Sequence, residues 1–264
     1  MKFAGTSTKP LEIWRSDVST ADALDFARSL AAAAARAGSG AQVGAIGPRP
    51  TRPLVLFERE TCPFSRLVRE ALSELDIDAL IKPCPEGERT HRAELSALSG
   101  DRKIPFLVDE NTETQLGESH RIVEYLFERY GRSAPPWRLR WQTLAESSSQ
   151  LASLVRGTEL VYIEPVLRPE KPLELWNYEA SPYCRIVREK LDGLALPYIS
   201  HNLARRSPRR PEFRERHGKL QFPYLFDPNT ADGLFESAQI VHHIEQTYAP
   251  GLELLAAVAQ PHLM

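Results

Sequence analysis

The sequence contains little of what marks several large classes of protein. Its 264 residues include only three cysteines and two methionines, and no apolar run approaches the roughly 18 residues that a membrane-spanning helix requires. The three cysteines (Cys62, Cys84 and Cys184) cannot all pair, and such sparse usage is typical of a reducing compartment. We therefore expect a cytoplasmic protein without a disulfide framework.

Charge of either sign is not in excess. With 33 basic and 35 acidic residues the formal net charge is −2, so the chain has no general attraction to phosphate backbones or anionic lipid. Acidic residues precede any apolar stretch near the N-terminus (Glu12, Asp17, Asp22 and Asp25), which argues against a signal or transit peptide. No spacing resembles a zinc site, and no glycine-rich phosphate loop occurs. We expect no nucleic-acid or membrane partner and no metal.

An internal repeat is the main feature that is present. The segment Pro53–Phe57 recurs as Pro172–Trp176, 119 residues later, and Cys62–Glu70 recurs at the same offset as Ser181–Glu189. After a one-residue deletion the offset becomes 118, and the matched pairs are then Ile104–Leu107 with Phe222–Leu225 and Glu118-Ser119 with Glu236-Ser237. The sequence therefore predicts two copies of one domain.

The repeat divides the chain into predicted regions. Copy 1 spans residues 53–132 and copy 2 spans residues 172–249. Around them we expect a helical extension with a proline-rich arm (1–52), a helical linker with a second arm (133–171) and a tail (250–264). The extra helices are predicted at Thr20–Ala37 and Leu139–Val155.

Each copy has the pattern of a βαβαββα unit. In copy 1, Leu54–Glu58 and Ala79–Lys82 are short apolar runs typical of buried strands. Pro63 suits the first turn of a helix, because the N–H that proline lacks has no partner there. The other predicted elements of copy 1 are a helix at Thr90–Leu98, a hairpin of Phe106–Val108 and Thr114–Leu116, and a last helix ending near Gly131. Copy 2 repeats this order, so the predicted fold class is α/β.

Cys62 is the residue best placed for chemistry. It follows a buried strand and precedes Pro63 at a helix start, where unpaired backbone N–H groups and the positive end of the helix dipole stabilise a thiolate. An exposed thiolate attacks disulfides and electrophiles. Ser65 occupies the place of the second thiol of a Cys-x-x-Cys motif, so a mixed disulfide on Cys62 needs another thiol to resolve it. The candidates are a second small thiol and Cys84, which follows the second strand.

Copy 2 inverts this pattern. Ser181 stands where Cys62 stands, and Cys184 stands where Ser65 stands. A serine at a helix start either caps the helix or donates a hydrogen bond to a bound thiolate, and capping is the commoner role. Cys184 lies one turn into the helix, so we expect a weakly reactive thiol.

Two further motifs follow in each copy. Pro105 and Pro223 each open a strand, a position that proline tolerates. Glu118-Ser119 and Glu236-Ser237 each join a hairpin to a helix. Such a pair either starts the helix, with serine as its cap, or binds a zwitterionic amino-acid group. In the second case Ser119 and the helix start receive its carboxylate, and Glu118 receives its ammonium.

Together, the order and spacing of Cys62-Pro63-Phe64-Ser65, Ile104-Pro105 and Glu118-Ser119 resemble the N-terminal, thioredoxin-like domain of glutathione S-transferases. The Cys-Pro-Phe element is similar to that of the Cys-type members (omega-like and dehydroascorbate-reductase-like) and of glutaredoxins. The resemblance covers Pro53–Gly131 and Pro172–Tyr248. The equivalents in copy 2 are Ser181, Pro182, Tyr183, Cys184, Phe222, Pro223, Glu236 and Ser237.

The resemblance implies roles for these residues. Pro105 and Pro223 would be cis, and the backbone of Ile104 or Phe222 would pair with the cysteine of glutathione. Glu118 and Ser119 would hold the γ-glutamyl end. Cys62 would form the mixed disulfide with glutathione. Lys103 or Arg102 would reach the glycyl carboxylate.

The chain departs from the family in one respect. Glutathione transferases continue into an all-helical domain that builds the co-substrate site, whereas here only residues 133–171 separate the copies and only 250–264 follow. The leading hypothesis is a glutathione-dependent thiol transferase that acts on a small or protein disulfide, with copy 2 degenerate. One alternative is a non-catalytic module that binds glutathione or a protein. The other is a transferase that conjugates electrophiles in a cleft between the copies.

Overall fold

The computed structural model describes residues 39–140, 162–164 and 167–251. The helix predicted at Thr20–Ala37 and most of the helix predicted at Leu139–Val155 lie outside the described residues. Within them, the βαβαββα order predicted for each copy is confirmed. The strands are β1 Leu54–Glu58, β2 Ala79–Pro83, β3 Phe106–Asp109, β4 Thr114–Gly117, β5 Leu173–Asn177, β6 Tyr198–Asn202, β7 Tyr224–Asp227 and β8 Asp232–Phe235. The helices are α1 Pro63–Glu74, α2 Thr90–Ser99, α3 Ser119–Tyr130, α4 Trp137–Arg140, α5 Pro182–Gly193, α6 Arg210–His217 and α7 Ser237–Tyr248.

All eight strands form one sheet, in the order β4-β3-β1-β2-β6-β5-β7-β8. Within each copy, the first two strands are parallel and the hairpin adds two antiparallel strands. The copies meet at β2 and β6, which pair antiparallel with Leu80 opposite Ile199. The two halves of the sheet are therefore related by an approximate twofold axis that passes between these strands.

Alternation along the strands decides which layer each side chain joins. Leu54 and Leu56 face one side, where the main hydrophobic core packs against α1, α3, α5 and α7. Phe57 faces the other side and packs with Leu95 of α2 and Phe106. In copy 2 the corresponding layer lies under α6 and contains Phe213, Tyr224 and Trp176. Each copy is thus a sheet covered by two helices on one face and by one on the other.

A buried set of charged side chains joins the copies. We call it the inter-copy ion cluster: Glu58, Glu60, Arg69, Glu179 and Arg188. Nε of Arg69 lies 3.0 Å from Oε2 of Glu179, and Nε of Arg188 lies 3.0 Å from Oε2 of Glu60. Each arginine therefore reaches the glutamate of the other copy, as the twofold relation requires. Each also contacts the glutamate of its own copy, Arg69–Glu60 at 3.2 Å and Arg188–Glu179 at 3.0 Å.

Candidate active site

The strand register gathers the predicted motifs of copy 1 at one edge of the sheet. Phe57 of β1 lies opposite Phe106 of β3, which in turn lies opposite Gly117 of β4. The residues that leave the sheet beyond this row are Cys62 after β1, Ile104-Pro105 before β3, and Glu118-Ser119 after β4. In copy 2 the equivalent row is Trp176, Tyr224 and Phe235. The same motifs therefore emerge at one edge in both copies.

Cys62 is the N-cap residue of α1, and Pro63 occupies the first turn. Its backbone is extended, its N–H donates to the carbonyl of Arg59 at 2.9 Å, and its side chain makes no capping hydrogen bond. The residue is 7% exposed. Ser65, three residues further on, is fully buried, and its hydroxyl has no hydrogen-bond partner among the described residues.

The other two thiols are in different environments. Cys84 lies at the same sheet edge, where its N–H donates to the carbonyl of Glu58 at 2.7 Å. Its side chain is 0% exposed and packs with Phe57 and Leu95. Burial, reinforced by the charge of Glu88, raises the pKa of the Cys84 thiol far above its ordinary value. Cys184 is also 0% exposed, and burial raises its pKa. Neither environment favours a thiolate that attacks a disulfide.

Ser181 caps α5 in copy 2. Its hydroxyl oxygen accepts a hydrogen bond from the N–H of Cys184 at 3.2 Å, which agrees with the capping role expected for a serine at this position. The two N-cap residues therefore differ in their hydrogen bonding as well as in having sulfur or oxygen at the end of the side chain. Copy 2 uses its N-cap side chain to hold the helix, whereas copy 1 leaves the sulfur of Cys62 without that contact.

The prolines and the acidic motifs have the same backbone in both copies. The Ile104–Pro105 and Phe222–Pro223 peptide bonds are both cis, as the family resemblance implied. Glu118 and Glu236 both have positive φ, 68° and 67°. Residues other than glycine rarely adopt this backbone conformation. It costs on the order of 1–3 kcal/mol and tends to persist at functional sites.

The carboxylates of these two motifs have different neighbours. Glu118 projects into solvent, with Nδ1 of His120 at 3.8 Å. Glu236 accepts a hydrogen bond from the side-chain amide of Gln221. Ser119 is buried at the start of α3, and Lys103 is 88% exposed and pairs with Asp101 at 3.1 Å. The carboxylate of copy 1 is thus the more available of the two.

Comparison with known proteins gives the family. The profile of the glutathione S-transferase N-terminal domain matches residues 56–136 and again 175–251, together more than half of the chain. The chain therefore belongs to this family and carries its N-terminal domain twice. This membership supports a glutathione-related function. A solved Leishmania structure, described as the unique trimeric glutathione transferase TDR1, is 13% identical with a TM-score of 0.28, covering 75% of this chain and 68% of that one. No curated protein matches the sequence.

Among the described residues, no group of three or more His, Cys, Asp or Glu side chains could hold a metal ion. In the same part of the chain, no helix combines the length and the apolar character needed to cross a bilayer.

Proposed function

We propose that the protein is a glutathione-dependent thiol transferase in which Cys62 is the nucleophile. The observation that carries this proposal is the position of Cys62, which is the N-cap residue of α1 and emerges at the same sheet edge as cis-Pro105 and Glu118-Ser119. Of the three cysteines, Cys62 is also the only one that is not fully buried.

The reaction has two thiol–disulfide exchanges. The thiolate of Cys62 attacks the glutathionyl sulfur of a mixed disulfide, a new S–S bond forms, and the leaving thiolate takes a proton from solvent. The thiolate of a second glutathione then attacks the glutathionyl sulfur on Cys62, which releases oxidised glutathione and restores the Cys62 thiolate. In the net reaction the mixed disulfide and one glutathione give a free thiol and oxidised glutathione, so one S–S bond is exchanged for another and the electrons balance.

The binding of glutathione in this scheme uses the motifs of copy 1. Its cysteine pairs with the backbone of Ile104 beside cis-Pro105, while its α-carboxylate meets Ser119 and the start of α3. The ammonium of its γ-glutamyl group meets Glu118. The solvent exposure of the Glu118 carboxylate supports this role, because no lysine or arginine of the described residues lies within ion-pair distance of it.

The test is glutathione-dependent reduction of the cysteine–glutathione mixed disulfide. In Cys62→Ser we expect a loss of at least about a thousandfold, because the nucleophile is removed. Cys84→Ser and Cys184→Ser are the matched controls, and both should keep the activity of the wild type if the second glutathione is the resolving thiol. Loss of turnover in Cys84→Ser would instead assign the resolving role to Cys84. Full activity in a folded Cys62→Ser protein would refute the proposal.

A non-catalytic glutathione-binding or interaction module is the second candidate. The low exposure of Cys62 favours it, since a thiol that is 7% exposed offers little surface to an incoming disulfide. Glutathione binding without turnover in the same assay would support this module. Conjugation of electrophiles, the third candidate, predicts turnover with an apolar electrophile instead.

A further inference from the structure

Two arginines stand at the two ends of the loop that joins β6 to α6 in copy 2. Arg205 follows β6, and Arg210 opens α6. Nε of Arg210 donates to the carbonyl of Leu203, two residues before Arg205, at 3.2 Å. The guanidinium of Arg210 also lies 5.2 Å from the ring centroid of Phe222, the residue before cis-Pro223. The backbone of Arg205 is held at 2.7 Å by the N–H of Val43, while its side chain is exposed.

Tyr178 adds a hydroxyl to this pair. It follows Asn177, whose carbonyl accepts the N–H of Leu203 at 2.8 Å, and its ring meets Phe222 edge-on at 6.3 Å. Burial raises the pKa of Tyr178, and the charges of Arg205 and Arg210 oppose that rise. Burial also lowers the pKa of Arg210, and the charge of Arg205 lowers it further. Tyr178 and Arg210 thus have the ring of Phe222 as a common neighbour, and the charge of Arg205 acts on both side chains.

At the equivalent position of copy 1, a carboxylate lies beside the arginines and neutralises their charge. There Arg59 and Arg92 occupy the positions of Tyr178 and Arg210, and Glu86 aligns with Arg205. The Glu86 carboxylate lies 3.7 Å from Arg59 and 3.6 Å from Arg92. In copy 2 no carboxylate of residues 39–140, 162–164 or 167–251 lies within ion-pair distance of Arg205 or Arg210. Where copy 1 has the carboxylate of Glu86, copy 2 has the guanidinium of Arg205, which adds to the positive charge of Arg210.

We propose that Tyr178, Arg205 and Arg210 form a site in copy 2 for a phosphate group, free or esterified to a small molecule. Guanidinium groups match phosphate oxygens with paired hydrogen bonds, and the tyrosine hydroxyl supplies a third donor. A phosphate carries close to two negative charges at neutral pH, as many as the two arginines can neutralise. A ligand with a single carboxylate would leave the charge of one arginine without compensation. The site uses none of the residues assigned to the chemistry of Cys62.

Calorimetric titration of the full chain at constant ionic strength tests the site, with inorganic phosphate and phosphoserine as probes. We expect one saturable site, and at least about a tenfold loss of affinity in Arg205→Glu, which restores the charge that Glu86 has in copy 1. Arg129→Glu makes the same charge change on an exposed residue of copy 1 and should bind as the wild type does. Tighter binding of phosphoserine identifies an ester as the ligand, and tighter binding of inorganic phosphate identifies the free ion.

Three results would overturn the proposal. They are no phosphate binding by the wild type, equal affinity in the wild type and Arg205→Glu, or displacement of phosphate by glutathione at this site with higher affinity. Arg205→Gln, checked by its thermal unfolding, separates loss of the charge from any misfolding caused by the added acid. Cys62→Ser should titrate like the wild type, so a failure of the thiol-transferase proposal leaves this result interpretable.

Discussion

Copy 1 and copy 2 follow the same backbone path but differ in the polar groups at the sheet edge where the helix-start, cis-proline and Glu-Ser motifs emerge. Copy 1 presents a thiol and an exposed carboxylate, Cys62 and Glu118, whereas copy 2 presents a capping serine and an amide-bonded carboxylate, Ser181 and Glu236. The duplicated fold has thus kept its backbone geometry, including cis prolines and positive φ angles, while its side chains have diverged. Such divergence indicates that fold and chemistry are separable within one domain.

The copies also differ in and beside the inter-copy ion cluster. Within it, Asn177 of copy 2 aligns with Glu58 of copy 1, and beside it Asp192 aligns with Ser73. The hydroxyl of Ser73 accepts a hydrogen bond from the backbone N–H of Glu179 at 3.0 Å and donates one to Oδ1 of Asn202 at 2.9 Å. Arg69 and Arg188 are thus related by the twofold axis, whereas the side chains around them differ between the copies.

Arg188→Ala should lower the free energy of unfolding by about 3–5 kcal/mol, because it removes one of the two cations that the buried Glu60 and Glu179 share and leaves only Arg69 of that pair. Arg188 is 2% exposed and bonds to both carboxylates. The measurement is chemical denaturation of the full chain. The control is Arg216→Ala, which removes an exposed pair with Glu212 and should cost less than about 1 kcal/mol. Equal effects of the two changes would contradict a stabilising role for the cluster.

Thiol labelling sharpens the contrast between the edges. In the native wild type we expect iodoacetamide to modify Cys62 at least about tenfold faster than Cys84 or Cys184, because the latter two are fully buried and burial raises their pKa values. Mass spectrometry of peptides from a time course gives the three rates. Labelling of the unfolded chain should make the rates similar, and a native rate at Cys84 that matches Cys62 would contradict the prediction.

Stability should fall as the pH rises from about 4.5 to about 7. Burial, opposed by Arg69 and reinforced by Glu60 and Glu179, raises the pKa of Glu58 to about 7. In this window the folded state keeps a proton that the unfolded state has lost, so the slope is negative, at most about 1.4 kcal/mol per pH unit for one proton. Above pH 7 its contribution is constant.

Glu58→Gln tests this assignment, because it places in copy 1 an amide like that of Asn177 in copy 2. Denaturation at a series of pH values should show a shallower decline between pH 4.5 and 7 than the wild type shows. The decline that remains is expected from Asp192, whose pKa is also raised by burial and by Glu58 and Glu60. An unchanged slope in Glu58→Gln would assign the titration to another group.

The smallest effect concerns the two helix caps. Ser181→Ala should cost about 1 kcal/mol, since it removes the hydrogen bond to the N–H of Cys184. Cys62→Ala should cost less, because the Cys62 side chain makes no capping hydrogen bond. Cys62→Ser should stabilise the protein slightly if the new hydroxyl caps α1. Denaturation midpoints of the three variants give the order, and a larger loss in Cys62→Ala than in Ser181→Ala would contradict it.

Much of each copy could be predicted from the sequence because the signals are local. Apolar runs mark β1 and β2, Pro63 marks the start of α1, and the repeat offset aligns the motifs of copy 2 with those of copy 1. The Ser181 cap also follows from local chemistry. The cis state of both prolines was predicted only through the family resemblance, since a proline before a strand adopts either isomer.

The Arg205–Arg210–Tyr178 cluster was missed, although a signal was present. The alignment of the copies sets Arg205 against Glu86, a reversal of charge at equivalent positions. Net charge concealed it, because the whole chain is nearly neutral while this edge of copy 2 is basic. A copy-by-copy comparison of charge would have found it.

The repeat, the order of helices and strands in each copy, and the copy that carries a thiol at its helix start can all be predicted from the sequence alone. These properties depend on residues near one another in the chain, where turn, cap and periodicity signals act. The tertiary structure decided that β2 pairs with β6 and that Arg69 and Arg188 meet the opposite copy's glutamates. Those contacts join residues more than a hundred positions apart, and a strand edge or a buried charge does not specify its partner until the chain has folded.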